Sequence, residues 1–236
     1  LKRFVARRAA ALTVVSKAMT NELERLGVPA DKISIQPMGV DLGNRFTPDE
    51  RVTRSNSELL FVGRLVEKKG VRYLLEALPK VIEAHPDAHL TIAGFGPEES
   101  ALRRQAESLG ISERVNFLGA VPQERLPSLY RRAAVFIAPF VEAKSGDQEG
   151  LGLVTVESIG CGCPAIVSDL PATRGIDALR VNPGDPSDLS DRINEFLSLR
   201  ATDRAKAAEK QRRGLDRFSW NRVKMEYSNL IKSSLN

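Results

Sequence analysis

The sequence predicts an α/β fold, a parallel sheet with helices on both faces followed by a helical tail. Three observations predict it. Short β-branched runs alternate with longer stretches of helical periodicity. The runs are mostly apolar throughout instead of alternating with polar residues, as expected of strands buried on both faces. The intervals between them are long enough for crossover helices, while residues 185–235 hold three consecutive helical patterns with no strand between them.

Six strands are expected, at residues 33–36, 59–62, 90–93, 115–118, 135–138 and 165–167, each bounded by Gly, Pro or polar residues. Residues 12–15 read as a further strand without an upstream partner. After them Ser16 is placed to cap a helix that runs through Leu26 and closes at Gly27. Residues 71–84 put Leu74, Leu75, Leu78, Val81 and Ile82 on one helical face, and residues 97–109 open with Pro97 at the first helical position. Residues 47–57 are polar and weakly periodic, which predicts a flexible linker or hinge. The tail reads as helices 185–199, 203–218 and 220–235, the last capped by Ser219.

The 236 residues suit one large α/β domain with appendages, and 42% apolar with 28% charged residues places the chain among ordinary globular proteins. No apolar run approaches the roughly 20 residues of a membrane span. Lys2, Arg3, Arg7 and Arg8 interrupt the first eleven residues, against a secretory leader. A soluble cytoplasmic protein is therefore expected. The chain starts without Met in a helical pattern, so its ends are expected to be those of a fragment. Cys161 and Cys163 are too close for an ordinary disulfide and lack partners for zinc, which fits a reducing compartment. His85 and His89 are separated by Pro86 and do not suit a shared metal, so no metal is expected. The net charge of +5 is spread over scattered Arg doublets without interleaved aromatics, which argues against a nucleic-acid partner but suits acidic ligands or peripheral association with an anionic membrane surface.

The strongest chemical signal runs from Glu149 to Glu157, a glycine loop passing into a helix. Gly150 and Gly152 permit a sharp turn and close approach of a ligand, and the amides from Gly152 onward form a helix start that attracts phosphate. Glu157 lies one turn deeper on the face of Leu153, placed to accept hydrogen bonds from sugar hydroxyls. The bland alternative is a helix start that favours acidic residues through its dipole. A second motif follows the strand at 59–62: Gly63-Arg64-Leu65-Val66-Glu67-Lys68-Lys69-Gly70. In an open parallel sheet ligands sit at the carboxyl ends of strands, where Arg64 and Lys69 can neutralise a diphosphate. A solvated charged loop is the alternative there. Gly94-Phe95-Gly96-Pro97 has Glu99 in place of a third glycine and reads as a tight turn, not a dinucleotide fingerprint.

Gly63-Arg64-Leu65 with Lys69-Gly70, Gly94-Phe95-Gly96-Pro97, Phe117-Leu118-Gly119, and Glu149-Gly150 with Glu157 and Gly160-Cys161-Gly162 resemble the group 1 retaining glycosyltransferases of the GT-B fold. The resemblance spans nearly the whole chain and is to the C-terminal, Rossmann-like half. The run Gly146-Asp147-Gln148-Glu149-Gly150 further resembles bacterial exopolysaccharide-assembling members. It implies a domain that holds a nucleotide diphosphate sugar, facing an N-terminal domain that supplies the saccharide or lipid-linked acceptor. Arg64 and Lys69 would stabilise the departing diphosphate and Glu149 would contact the donor sugar. Glu157 would bind the ribose, and the backbone from Leu118 to Val121 would line the base. Gly63, Gly150, Leu151, Gly152 and Leu153 would complete the donor site. No metal or cofactor is implied, and retention of configuration is. Residues 1–16 would be a remnant of the acceptor domain, 17–218 the donor domain, and 219–236 a crossover helix whose apolar face is partly uncovered. Such a chain would bind donor and barely catalyse alone. Lys68, where many members carry an acid, departs from the pattern, as does a spacing one residue longer over 41–46. The alternatives are another GT-B enzyme, such as an epimerase or a phosphorylase, and a non-catalytic nucleotide-binding module.

Overall fold

The computed structural model describes residues 2–235. Its main sheet has six parallel strands: β3 (Glu58–Val62), β4 (His89–Ala93), β5 (Val115–Gly119), β6 (Val135–Ala138), β7 (Ala165–Ser168) and β8 (Leu179–Val181). Their order is β5-β4-β3-β6-β7-β8. The chain winds one way from β3 to β5, returns, and winds the other way from β6 to β8. The strand order reverses between β3 and β6.

Period-two alternation divides the core into two layers. Leu59, Phe61, Val135, Ile137 and Ile166 pack on one face with α3 (Val71–Ala84), α4 (Glu99–Ser108) and α7 (Pro186–Ser198). Leu60, Val62, Phe136, Ala138 and Val167 pack on the other with α5 (Leu126–Arg132) and α6 (Leu153–Gly160). Every residue of β3 and β6 is buried, as a sheet covered on both sides requires. The expected apolar face of α3 is in place, with Leu74, Leu75, Leu78 and Val81 fully buried and Ile82 packed at the rim. Helix α8 (Ala201–Arg213) is tied to the sheet by Gln211, whose side chain accepts from the Ala165 amide and donates to its carbonyl.

Several expectations are corrected. Residues 33–36 are not part of the main sheet: β2 (Ile33–Ile35) pairs in parallel with β1 (Leu12–Val14) in a separate two-stranded sheet, so the unpartnered strand has its partner. The sixth main strand is β8, a three-residue edge strand too short to carry a periodic signal. Ser16 precedes a 3-10 turn, Lys17–Met19, and its side chain accepts no capping hydrogen bond; helix α2 (Thr20–Arg25) begins after it. Helix α4 starts at Glu99 and not at Pro97, because the Glu98 amide is bonded to the Leu65 carbonyl and holds the preceding turn against the first glycine loop. The pattern at 203–218 is broken after Arg213, where the chain turns at Gly214 to bury Leu215 and Phe218. Residues 47–57 are no free linker. Arg54 donates to the carbonyls of Tyr130 and Ala133, Arg131 donates to the Thr47 carbonyl, and the Ser55 amide bonds to the Arg132 carbonyl.

Residues 38–46 cross residues 218–220. The Val40 amide donates to the Phe218 carbonyl at 2.7 Å, and the Trp220 ring covers Gly39 so closely that a Cβ there would overlap it. Helix α9 (Trp220–Leu235) buries Val223 but leaves Trp220 48% and Tyr227 36% exposed, the partly uncovered face that the sequence led one to expect. The short helix α1 (Lys2–Arg8) exposes Phe4 and Val5. Among the described residues no helix is long and apolar enough to cross a membrane.

The loops at the carboxyl ends of the strands are zipped together through backbone. The Gly63 amide bonds to the Ala93 carbonyl, Leu65 to Phe95, and Gly94 to Gly119, at 2.8–3.0 Å. Gly94 has φ +151°, and a Cβ there would overlap the Gly63 carbonyl. The Gly94-Phe95-Gly96-Pro97 turn is therefore a spacer that lets two loops touch. Gly94→Ala should lower the unfolding free energy by about 3 kcal/mol or more, backbone strain adding to overpacking against a group that cannot move aside. Urea denaturation measures it; a loss below about 1 kcal/mol would show that the loops can separate.

Candidate functional site

The reversal of strand order sets the loops after β3 and β6 apart and opens a crevice between them, the place where open α/β sheets hold ligands. A cavity of about 480 Å³ lies there. Arg64, Glu67, Lys68 and Lys69 enter it from the loop after β3; Asp147 and Glu149 enter from the loop after β6. The two loops are joined at their bases, since the Val141 amide bonds to the Lys68 carbonyl and Gly70, at φ +66°, lies directly against the Pro139 carbonyl.

Three of the expected residues meet in this cavity. Lys69 and Glu149 form an ion pair at 2.5 Å, each side chain 14% exposed. The second Glu149 oxygen accepts from the amides of Gly150 at 3.1 Å and Gly152 at 3.3 Å, at the start of α6. Burial pushes the Glu149 carboxyl up, but the charge of Lys69 and these donors outweigh it and hold the group below the usual carboxylate value. Lys69 also lies 4.6 Å from the Phe140 ring centroid, a cation–π contact that fixes its head from below. Arg64 is exposed and, among the described residues, its guanidinium has no hydrogen-bond or ion-pair partner, which leaves its fork of donors available to an incoming group. Lys68 is bound to Asp147 at 3.0 Å and to the Gln148 carbonyl, so the position that departs from the resemblance serves as a bridge between the loops.

Gly152, at φ +69°, is the N-cap of α6, and the first helical residue is Leu153, as the glycine pattern predicted. Leu151 is turned into the core and only 5% exposed. Gly63 stands at the end of β3, and Leu118 and Val121 lie beyond the cavity at the end of β5 and just after it, on the same edge of the sheet. Glu157 is not in the cavity. It is buried on α6 and accepts from the Tyr130 hydroxyl of α5 at 3.0 Å. Burial raises its carboxyl above the usual 4.5, with the Tyr130 bond and the charge of Arg45 opposing. Burial and the adjacent carboxylate hold the Tyr130 phenol protonated, well above its usual 10.

Sequence reasoning missed Tyr130 and Phe140. Neither lies at a motif spacing from its partner; only the need of a buried phenol for an acceptor could have pointed to the first. Cys161 and Cys163 are free and buried in the apolar layer below α6, and burial raises their thiols to about 12 and about 11, so neither is a thiolate nucleophile. Among the described residues no group of three His, Cys, Asp or Glu side chains is arranged to hold a metal.

The doubly wound sheet, with its helices on both faces and a helical tail, has the architecture of one Rossmann-like half of the GT-B fold. Residues 47–214 match the profile of the glycosyl transferases group 1, and the chain belongs to that family. Over 66% of its length it is 34% identical to a GDP-mannose-dependent α-(1-6)-phosphatidylinositol monomannoside mannosyltransferase of Mycolicibacterium smegmatis, covering 43% of that protein. Over 96% of its length it is 27% identical to a putative colanic acid biosynthesis glycosyltransferase, WcaL, of Escherichia coli K12, covering 57%. The Anabaena protein HepE, solved with UDP and glucose, superposes over 98% of this chain and 66% of its own at 21% identity and a TM-score of 0.83, a likeness of fold. The chain spans about half the length of the curated relatives it matches.

The Glu157 carboxyl yields a pH prediction. Because its folded-state pKa is raised, the stability tied to this group is full below 4.5 and is lost as the pH rises through the raised value. Glu157→Gln keeps the Tyr130 bond and removes the ionisation, so it should melt above the parent at about pH 7.5, with the gap closing toward about pH 4. A constant gap across that range would mean that the carboxyl does not titrate in this window.

Proposed function

We propose that this chain is the donor-binding half of a glycosyltransferase that moves a sugar from a nucleotide diphosphate to a saccharide or lipid-linked acceptor, with retention and without a metal. The observation that carries the reading is the meeting of Arg64 and Lys69 with the glycine-capped start of α6 at the switch point between β3 and β6. Relatives named for mannosyl transfer and colanic acid assembly, and a fold shared with a protein crystallised with UDP, support it.

The diphosphate would lie across the amides of Gly152 and Leu153, with Arg64 and Lys69 neutralising it as the glycosidic bond breaks. The acceptor hydroxyl oxygen bonds to the anomeric carbon on the face that the diphosphate leaves. The electron pair of the broken bond departs with the diphosphate, which also takes up the hydroxyl proton. Preorganised cations serve this step without a divalent ion. Glu149 now holds Lys69 and the Gly152 amide, the same donors a phosphate oxygen would use. Donor binding would release that carboxylate toward the sugar. Glu157, already oriented by Tyr130, would bind the ribose hydroxyls, and the Leu118 to Val121 backbone would line the base.

The main sheet, from residue 58 to 181, forms the donor domain, and we place the boundary with the acceptor domain near residues 36–46 instead of at residue 16, because β2 pairs with β1 and not with the main sheet. Helix α9 would cross back to that domain.

Calorimetric titration with UDP, GDP and ADP and their sugar conjugates tests the reading. One nucleotide should bind selectively and equally well with chelator present, and Arg64→Ala and Glu157→Ala should each weaken it by about tenfold, the loss of one charge-assisted hydrogen bond. Binding equal in both variants would sink the assignment of the site.

A further inference from the structure

The Gly94-Phe95-Gly96-Pro97 turn presents an aromatic ring that its own geometry does not need. Gly94 and Gly96 supply the close approach, since a Cβ at Gly94 would overlap the Gly63 carbonyl and one at Gly96 the Leu65 backbone. Phe95 between them contributes only its carbonyl, which accepts from the Leu65 amide at 2.9 Å and which any residue would supply. Phe95 is 61% exposed. Among the described residues no aromatic ring or cation packs on it, whereas Phe117 lies under Arg103 at 4.3 Å and Phe140 under Lys69. A phenyl ring held in water is an unused surface for a flat apolar ligand.

Strand order puts that ring on the path of a nucleotide. β4 stands between β3 and β5 in the main sheet. The crevice with Arg64 and Lys69 opens between β3 and β6, and residues 118–121, read as lining the base, lie at the end of β5 and just after it. A nucleotide joining the two crosses the end of β4, where Phe95 stands. Neighbouring strands lie about 4.8 Å apart, so the step from β3 to β5 covers about 10 Å, a length that a ribose and its base fill. The ring is firmly based, because the Gly94 amide bonds to the Gly119 carbonyl and the Phe95 carbonyl holds the Leu65 amide, tying the turn to the loops on both sides. Leu118, 39% exposed, adds a second apolar group at this edge. In β5 Phe117 packs with the α3 layer, so Leu118 next to it faces the side of the sheet that carries α6 and Glu157.

Resting on the donor reading of the crevice, we propose that Phe95 is the stacking platform for the base of the nucleotide, with Leu118 at its border. The phosphates are held by charge at Arg64 and Lys69 and the base by its face at Phe95, so only a ligand that carries both gains the full affinity. A bare pyrophosphate or sugar phosphate gains the first part alone. Every base offers a π-face, so the ring supplies affinity for nucleotides as a class, and discrimination among bases falls to hydrogen bonds at the base edge.

Calorimetric titration with UDP, GDP and ADP identifies the nucleotide that binds, and the same titration is then run on variants of Phe95. Phe95→Ala and Phe95→Leu should each weaken it by about tenfold, as loss of one aromatic–base stack does, and Phe95→Tyr should keep it. Melting temperatures should hold in all three, because the side chain stands in water. Phe95→Trp adds an optical readout. Its emission, taken as the difference from the parent chain with its single Trp220, should be quenched by the nucleotide and not by pyrophosphate at the same concentration. Nucleotide affinity unchanged in Phe95→Ala or Phe95→Leu overturns the proposal and spares the donor reading. An equal loss in Phe95→Tyr overturns it too, tracing the effect to the turn instead of the ring, as does quenching by pyrophosphate. Absence of nucleotide binding by the parent chain overturns the donor reading and this proposal with it.

Discussion

The site depends on one constraint of the sheet, the reversal of strand order between β3 and β6. Were the strands laid in chain order, the loop after β3 would be covered by its own crossover. Because β4 and β5 add on one side of β3 and β6 to β8 on the other, the loops after β3 and β6 leave in opposite directions and a crevice stays open between them. Backbone contacts then fix its width. Gly63, Gly70 and Gly94 occupy positions with φ between +66° and +155°, and at Gly70 and Gly94 a side chain would displace the carbonyl of a neighbouring loop. Three cations can stand at this edge, because the glycines draw the loops beneath them together.

The electrostatics of the crevice follow from that closeness. A Lys and a Glu, both mostly buried, are stable only if the pair is tight and their remaining donors and acceptors are satisfied. Glu149 meets the condition through Lys69 and two amides at the start of α6, and Lys69 adds the Phe140 ring. The same donors that hold Glu149 are those an anionic ligand needs, so the carboxylate and a phosphate compete for one seat. Arg64, exposed and unpaired among the described residues, tips that competition toward a ligand bearing more than one charge.

How much of this was legible in the sequence follows from the range of each interaction. Strands β3 to β7, α3 and the glycine-capped start of α6 are local, since apolar runs, a 3.6-residue face and a glycine before a helix signal them within a few residues. The cations after β3 and the Glu149 loop were legible because the strand-end rule needs only the neighbouring strand. What failed was non-local. Pro97 looked like a helix start until the Leu65 carbonyl, from another loop, took the amide of Glu98. Residues 47–57 looked free because Arg54 finds its acceptors some eighty residues away, at Tyr130 and Ala133. Tyr130 itself lies 27 residues from Glu157, and the spacing carries no signal.

Glu157 shows why a motif and a site are different things. The sequence places both glutamates on one segment, with Glu157 one turn deeper than the loop glutamate Glu149. The helix turn between them sends Glu149 outward to cap α6 and Glu157 inward to Tyr130, so their environments differ in sign: one carboxyl is held below its usual value and the other above it. Two acids eight positions apart thereby acquire different tasks. The ionised Glu149 competes at the phosphate seat, while Glu157, costly to ionise where it is buried, gains most from any ligand whose hydroxyls hydrogen-bond to its carboxylate. A buried acid already pointed by a phenol is a preorganised acceptor, and the binding energy of those hydroxyls then offsets the burial that the unliganded fold sustains.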